Sequence, residues 1–172
     1  VLYTNHGQFF FDSTANNWKK LTWIPELLKY NRFSDAESFH DDKVIYATDS
    51  LVLLLDYATG TVMYQQPFSK VVSVCRYSDQ ELAIAFQHGL VQIVNIQTKE
   101  ITRQYQLTGE FNKKQLNAQL NEIRPAANGD ILVSTEHDGL VVISKTGSIA
   151  RYTHDPIYTN SIASDLTRRV IS

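Results

Sequence analysis

"ILVSTEHDGLVVISKTGSIARYTH", residues 131–154, is the stretch that decides the fold. It reads as strand, turn, strand, turn, strand, with two apolar runs and a third of alternating character separated by polar residues and glycine. Slid along the chain, the template fits again. Residues 82–105, "LAIAFQHGLVQIVNIQTKEITRQY", and residues 44–65, "VIYATDSLVLLLDYATGTVMYQ", each show an apolar strand, a polar turn and a second apolar strand opening on leucine (Leu51, Leu90, Leu140). A Thr-Gly or Thr-Lys turn and a third strand follow in each. The first 22 residues, "VLYTNHGQFFFDSTANNWKKLT", carry the pattern with Phe9, Phe10 and Phe11 in the second strand, which makes about four copies.

A further strand precedes each full copy, at "AESFH" (36–40), "VVSVCRY" (71–77) and "NEIRPA" (121–126), and "DLTRRVIS" (165–172) closes the chain in the same role. The unit therefore has four strands. Matched turn positions at Gly7, Ser50, Gly89 and Gly139 are 43, 39 and 50 residues apart, the period of β-propeller blades rather than of sandwich hairpins. The middle strands, such as "LVLLL" and "LVVI", are apolar on both faces. A blade is covered on both sides by its neighbours, so its central strands must be apolar on both, whereas a surface hairpin alternates. The expected fold is all-β: four-stranded antiparallel blades forming one propeller domain, or part of a larger propeller, over 1–172. The blades fall at 33–69, 70–107 and 118–155, and a fourth takes its strands from 1–22 with the edge at 162–172. The chain opens at Val1 and is expected to be a piece of a longer product; whether its ends close a four-bladed ring or belong to a larger one stays open.

Two connectors run long. "TWIPELLKYNRFSD" (22–35) has a proline at a plausible first helical position, and "LTGEFNKKQLNAQLN" (107–121) has some helical propensity. Both follow a fourth strand and precede a first, so both are expected on one face, together with the turns between second and third strands. Loops gathered on one face of a rigid scaffold are the usual place for a binding site.

Composition narrows the partners. The chain has 172 residues, 43% hydrophobic and 20% charged, with a formal net charge of -2 and no Lys/Arg run longer than two. That gives no electrostatic footprint for nucleic acid or anionic lipid. No apolar run approaches the roughly 20 residues that span a bilayer, so any membrane association is expected from parts outside this chain. A single cysteine, Cys75, excludes an internal disulfide and a cysteine-cluster metal site.

The residues 128–140, "NGDILVSTEHDGL", resemble the repeat of two-component regulator propellers, which runs Asp/Asn-Gly-x-Leu-Trp-Ile-Gly-Thr and then Gly-Leu. The connectors "YTNSIASDLTRRVIS" and "LNAQLNEIRP" are similar to that family's Asn-Ser-Leu run into the next first strand. The sequence departs from the pattern where Leu132, Tyr46 and Ala83 or Ile84 stand in place of the tryptophan, Phe86 in place of the threonine and Ser50 in place of a glycine. The resemblance implies a periplasmic sensor region of a membrane histidine kinase of the Bacteroides type, which senses an oligosaccharide and works as a dimer. No kinase, receiver or DNA-binding motif lies in the chain.

Candidate chemistry is sparse. His6, His88 and His137 sit at equivalent turns of three copies; a metal site or pH sensor would use such a ring. Equivalent turns on stacked blades lie about 10 Å apart, which favours separate solvated histidines, and no metal is expected. Asp41 and Asp42 read as turn formers, and Cys75 reads as a small buried residue. No phosphate-cradling glycine loop and no Gly-x-Ser-x-Gly elbow occurs, so neither catalytic residues nor a cofactor are expected. Aromatic residues make up 11% of the chain, and Trp18, Trp23 and Tyr30 cluster at the first connector with Arg32. Flat aromatic faces beside hydrogen-bond donors suit a sugar ring, although blades also use aromatics as packing. The expected ligand contacts are Trp23, Tyr30, Arg32, His88 and His137. Beside the oligosaccharide sensor stands a protein-interaction scaffold of the WD-repeat or YVTN kind, against whose WD variety the absent Gly-His and Trp-Asp pairs count. A quinoprotein-like propeller, suggested by "DYATGTVMYQQ" (56–66), comes third. Self-association, or docking onto the remaining blades of the parent, is the expected partnership, because open blade faces are apolar.

Overall fold

The computed structural model describes residues 2–4, 7–12, 16–20, 33–40, 42–56, 59–111, 114–117, 119–159, 161–164 and 166–167. The chain divides into two compact units, Val1–Asn31 and Arg32–Ser172. In the first, β1 (Leu2–Thr4), β2 (Gly7–Asp12) and β3 (Asn17–Lys20) form an antiparallel sheet in that order, with Phe11 opposite Trp18.

The second unit contains three four-stranded antiparallel sheets, each a simple meander. The first is β4 (Phe33–His40), β5 (Lys43–Thr48), β6 (Leu51–Asp56) and β7 (Val62–Pro67). The second is β8 (Val71–Arg76), β9 (Glu81–Phe86), β10 (Leu90–Asn95) and β11 (Ile101–Gln106). A hairpin of β12 (Thr108–Phe111) and β13 (Lys114–Asn117) leads to the third, β14 (Leu120–Pro125), β15 (Ile131–Thr135), β16 (Leu140–Ile143) and β17 (Ile149–Tyr152). The first strands β4, β8 and β14 pack side by side.

Burial follows from this stacking. Every residue of β6 except Asp56 is buried, as is every residue of β9 except Glu81. Alternate side chains of one strand serve two different cores. Leu82 and Ile84 of β9 point to the first sheet and pack with Ile45, Val52 and Leu54. Ala83 and Ala85 point to the third and pack with Ile123, Val133 and Val141. Each fully buried Val, Leu or Ile side chain among these contributes on the order of 1.5 to 3 kcal/mol of transfer free energy. The fourth strands are the wet ones: β11 is only half-buried or exposed along its whole length.

One expectation is corrected. The connector 107–121, read as favouring helix, folds as the β12–β13 hairpin, with Thr108 paired to Asn117 and Phe111 to Lys114. Helix propensity is a weak prior, and here Gly109 sits inside the segment while β-branched Thr108 and aromatic Phe111 favour extended backbone. The other long connector, 22–35, lies outside the described residues except where its last three residues begin β4.

The first strands share an irregularity. Each pairs with its second strand through a register shift near its start: between Phe33 and Asp35, between Val71 and Ser73, and between Leu120 and Glu122. A bulge re-aims the residues that follow it, and it does so alike in all three sheets.

Candidate functional site

The turns between second and third strands and the connectors between successive sheets come together on one face. In the first and third sheets a buried threonine builds the turn. Thr48 Oγ1 donates to Leu51 O at 3.3 Å and accepts from Ser50 N at 3.2 Å. Thr135 Oγ1 donates to Gly139 O at 2.7 Å and accepts from Asp138 N at 2.9 Å. The second sheet has Phe86 there and no hydroxyl to cap the turn. Its chain instead makes a short 3-10 turn, Gln87–Gly89, with His88 (φ 68) and Gly89 (φ 78) both left-handed. A non-glycine residue in that region is uncommon and strained.

The connectors are tied to these turns through the backbone. Phe68 N donates to Ser50 O at 3.0 Å, and Leu107 N to Gly89 O at 2.7 Å. Lys70, also left-handed at φ 61, donates to Asp49 O at 2.7 Å and accepts from Gln87 N at 2.9 Å, which joins the turns of two consecutive sheets. Thr167 repeats the move on the third sheet: its N donates to Thr135 O at 3.0 Å and its Oγ1 to Gly139 O at 2.8 Å. Satisfied backbone groups make the face a rigid platform.

His88 and His137 are both exposed on this face, in different surroundings. His88 has Lys70 Nζ at 3.5 Å from its Nε2, while its carbonyl accepts from Gln106 Nε2 at 2.8 Å. His137 lines an open pocket of about 480 Å³ with Asn121, Glu136 and Leu166. Asn121 Nδ2 is held by Thr167 O at 3.0 Å. Next to His137 in the chain, Asp138 is gripped by Arg151, through Nε to the carbonyl at 2.8 Å and through Nη2 to the carboxylate at 2.6 Å, with only 10% and 8% of the Arg151 and Asp138 side chains exposed. Arg151 Nη1 is buried without a hydrogen-bond partner. The connector beyond β17 braces itself: Asp155 Oδ1 accepts from Ile157 N at 2.9 Å, and Ser161 Oγ donates to Asp155 O at 2.8 Å. It holds Ile157 (82% exposed) and Tyr158 (65%) out to solvent.

Of the sequence-based ligand contacts, Trp23, Tyr30 and Arg32 lie outside the described residues, as does His6. Among the described residues no group of three or more His, Cys, Asp or Glu side chains is placed to hold a metal, and no helix is long and apolar enough to cross a membrane. At the other end of the second sheet, where the β8–β9 turn meets the end of β10, Ser78, Asp79, Gln80, Glu81 and Asn95 line a shallow groove of about 580 Å³.

A second cluster, which sequence reasoning missed, lies on the first strands: Asp35 and Glu37 of β4, Ser73 and Cys75 of β8, Glu122 and Arg124 of β14. Ser73 Oγ donates to Asp35 Oδ2 at 2.6 Å and accepts from Ile123 N at 3.2 Å. Arg124 pairs with Glu37 and, at 2.7 Å, with Glu122. Burial raises the Glu37 carboxyl from its ordinary 4.5 to about 7; Arg124 pulls it down, and Asp35 and Glu122 push it up. Burial likewise pushes the Cys75 thiol well up, with Glu37 adding to it. The signal in the sequence is a polar or small residue recurring two apart at 35/37, 73/75 and 122/124, but Ser34, Ser38, His40, Arg76 and Asn121 in the same strands hide it. Reading the first of these strands from Ala36 left Asp35 out.

No family model and no curated protein matches the chain. Solved structures do. The extracellular domain of a signalling system from B. thetaiotaomicron, described as one-component in one structure and hybrid two-component in another, aligns with TM-scores of 0.65 and 0.64 at 16% identity. It covers 94% of this chain and 22% of that one. The WD40 β-propeller domain of Doa1 aligns with a TM-score of 0.57 at 19% identity over 72% of this chain and 41% of that one. The WD40 domain of Toxoplasma gondii coronin aligns with 0.54 at 13% over 68% and 32%. At these identities the likeness establishes the fold: the sheets are β-propeller blades. The chain spans less than half of each of these structures.

Proposed function

We propose that the chain is part of the sensor propeller of a signalling protein, an extracytoplasmic, non-enzymatic module that binds an oligosaccharide on the face built by the second-to-third-strand turns and the connectors. The observation that carries this reading is the pocket of Asn121, Glu136, His137 and Leu166 on that face. An amide, a carboxylate and an imidazole converge there beside the apolar side chain of Leu166, and exposed Tyr152, at the end of β17, and exposed Tyr158, on the connector that follows it, add aromatic surface. Planar hydrogen-bonding groups next to aromatic and aliphatic surface are what a sugar's hydroxyls and C–H faces require. The B. thetaiotaomicron extracellular domain, which runs alongside 94% of this chain, supports the sensor setting. Arg32 and His88 belong to this reading as further contacts, and self-association or docking with further blades covers the open edges. The WD40 likenesses favour a second reading, in which the same face takes a peptide.

Heteronuclear NMR titration of the 172-residue chain with a panel of neutral and acidic oligosaccharides tests the assignment. The expected result is saturable shifts centred on residues 119–121, 136–138 and 166–167, abolished in Asn121→Ala and His137→Ala variants whose spectra otherwise stay native. Shifts that survive both substitutions, or a panel without any saturable response, reject the pocket as a sugar site. A peptide that saturates the same residues moves the scaffold reading ahead.

A further inference from the structure

The connectors into the second and third sheets make the same backbone contact and present different side chains. Gln87 N donates to Lys70 O and Glu136 N donates to Gln119 O, both at 2.9 Å. Gln87 and Glu136 therefore hold equivalent positions, as do Lys70 and Gln119. On the third sheet the pair is acidic and neutral; on the second it is neutral and basic. Phe86 stands where the other two sheets have the turn threonine, and the short 3-10 turn that follows it puts His88 Nε2 3.5 Å from Lys70 Nζ. Both side chains are exposed. Among the described residues no ion pair joins either of them to a carboxylate. Asp49, the nearest acid in the facing turn, meets Lys70 only through its carbonyl, which accepts from Lys70 N at 2.7 Å. The main chain beneath the pair is fixed: Leu107 N donates to Gly89 O at 2.7 Å and Gln106 Nε2 to His88 O at 2.8 Å.

We propose that Lys70 and His88 form a carboxylate subsite, so that the oligosaccharide bound on this face carries a uronic acid; this rests on the sugar-sensor reading above. An ammonium has three donors, and the imidazole occupies one of them at most. A carboxylate seated between the two nitrogens accepts from Nζ and, with the proton on Nε2, from the imidazole as well, and such charge-assisted bonds are the stronger kind. Lys70 and His88 are both left-handed, at φ 61 and 68. Backbone of that kind persists where the surrounding structure fixes it, so both side chains start from a set main chain and only their ends adjust to the ligand. The His137 pocket is a poor seat for the same acid group, because Glu136 lines it and like charges brought together are unfavourable. The two places on the face therefore divide the sugar between them, hydroxyls to the third sheet and the acid to the second.

The test titrates the whole 172-residue chain, by calorimetry and NMR, with tetrasaccharides of galacturonate, mannuronate and glucuronate, each beside its carboxyl-reduced neutral counterpart. At least one acidic member is expected to bind about fivefold more tightly than its counterpart, with shifts at Lys70, His88 and Gln106 and with a gain that fades as salt is added. Lys70→Gln is expected to bring that uronate down to the affinity of its neutral counterpart, and Lys70→Arg to retain the gain. Equal affinities within all three pairs, with shifts at 136–138, overturn the subsite and leave the sugar-sensor reading standing. Absence of saturable binding by every saccharide removes that reading and this inference with it. An acidic peptide that alone saturates Lys70 and His88 overturns the uronate in favour of the scaffold. If Lys70→Gln does not fold, the wild-type shifts decide: a uronate gain that leaves Lys70 and His88 unmoved overturns the subsite.

Discussion

Gly139 shows how little freedom a single position keeps in the turn it builds. Its φ is +74, and a β-carbon placed there meets the carbonyl oxygen of Tyr152 at 2.2 Å, a backbone atom that has no route away. Gly129 is left-handed too, at φ +86, but its nearest neighbour would be Lys145 Cβ at an ordinary 3.7 Å. The Gly129→Ala change is expected to cost about 1 to 2 kcal/mol for the left-handed backbone alone, whereas Gly139→Ala adds a main-chain clash and is expected to cost clearly more, about 4 kcal/mol or above. Urea denaturation of the two variants side by side checks the ranking. Cys75 makes a second residue-scale test. It is fully buried, and its thiol is pushed up by burial, so both access and thiolate are scarce. A thiol reagent added to the native protein is expected to label it only at the rate of unfolding, and fast labelling at neutral pH would show that the second blade's first strand opens locally.

Within an element, position in the blade decides what a side chain is worth. Ile84 in β9 is fully buried between two sheets, and Ile101, at the start of β11, is 49% exposed. Ile84→Ala removes apolar contacts and leaves a cavity, with an expected loss of about 2 to 4 kcal/mol. Ile101→Ala is expected to stay within about 0.5 kcal/mol. Equal costs in denaturant titrations would contradict the stacking of the second sheet between its neighbours. The strands themselves were legible before any coordinates: "LAIAF" and "LVLLL" are apolar at every position, and only a sheet covered on both faces asks for that. The hairpin at 108–117 was not, because Asn, Lys, Gln and Leu in that segment satisfy a helix equally well and pairing across a turn is a contact that propensity does not encode.

At the scale of the whole second unit, stability is expected to fall as pH rises. Taking Glu37 from 4.5 to about 7 corresponds to up to about 3 kcal/mol of destabilisation between pH 5 and pH 8. Guanidinium titrations at the two pH values, with Glu37→Gln as the reference, measure it; an unchanged wild-type midpoint would refute it. The repeat, the blade period and the four-stranded unit could be read from the order of apolar runs and turns, because a propeller is built from local meanders whose contacts are close in sequence. His88 and His137 could be placed on turns for the same reason. Their neighbours could not: Lys70 is 18 residues from His88, and Asn121 is 16 from His137. The first-strand network is more distant still, with Glu37 and Arg124 separated by 87 residues and brought together only when bulges aim three strands alike. Sequence alone determined the blades, since hydrophobic period and turn chemistry act over a few residues. The pocket around His137 and the Glu37–Arg124 network were decided only by tertiary structure, because charge, burial and hydrogen bonding depend on which blades meet.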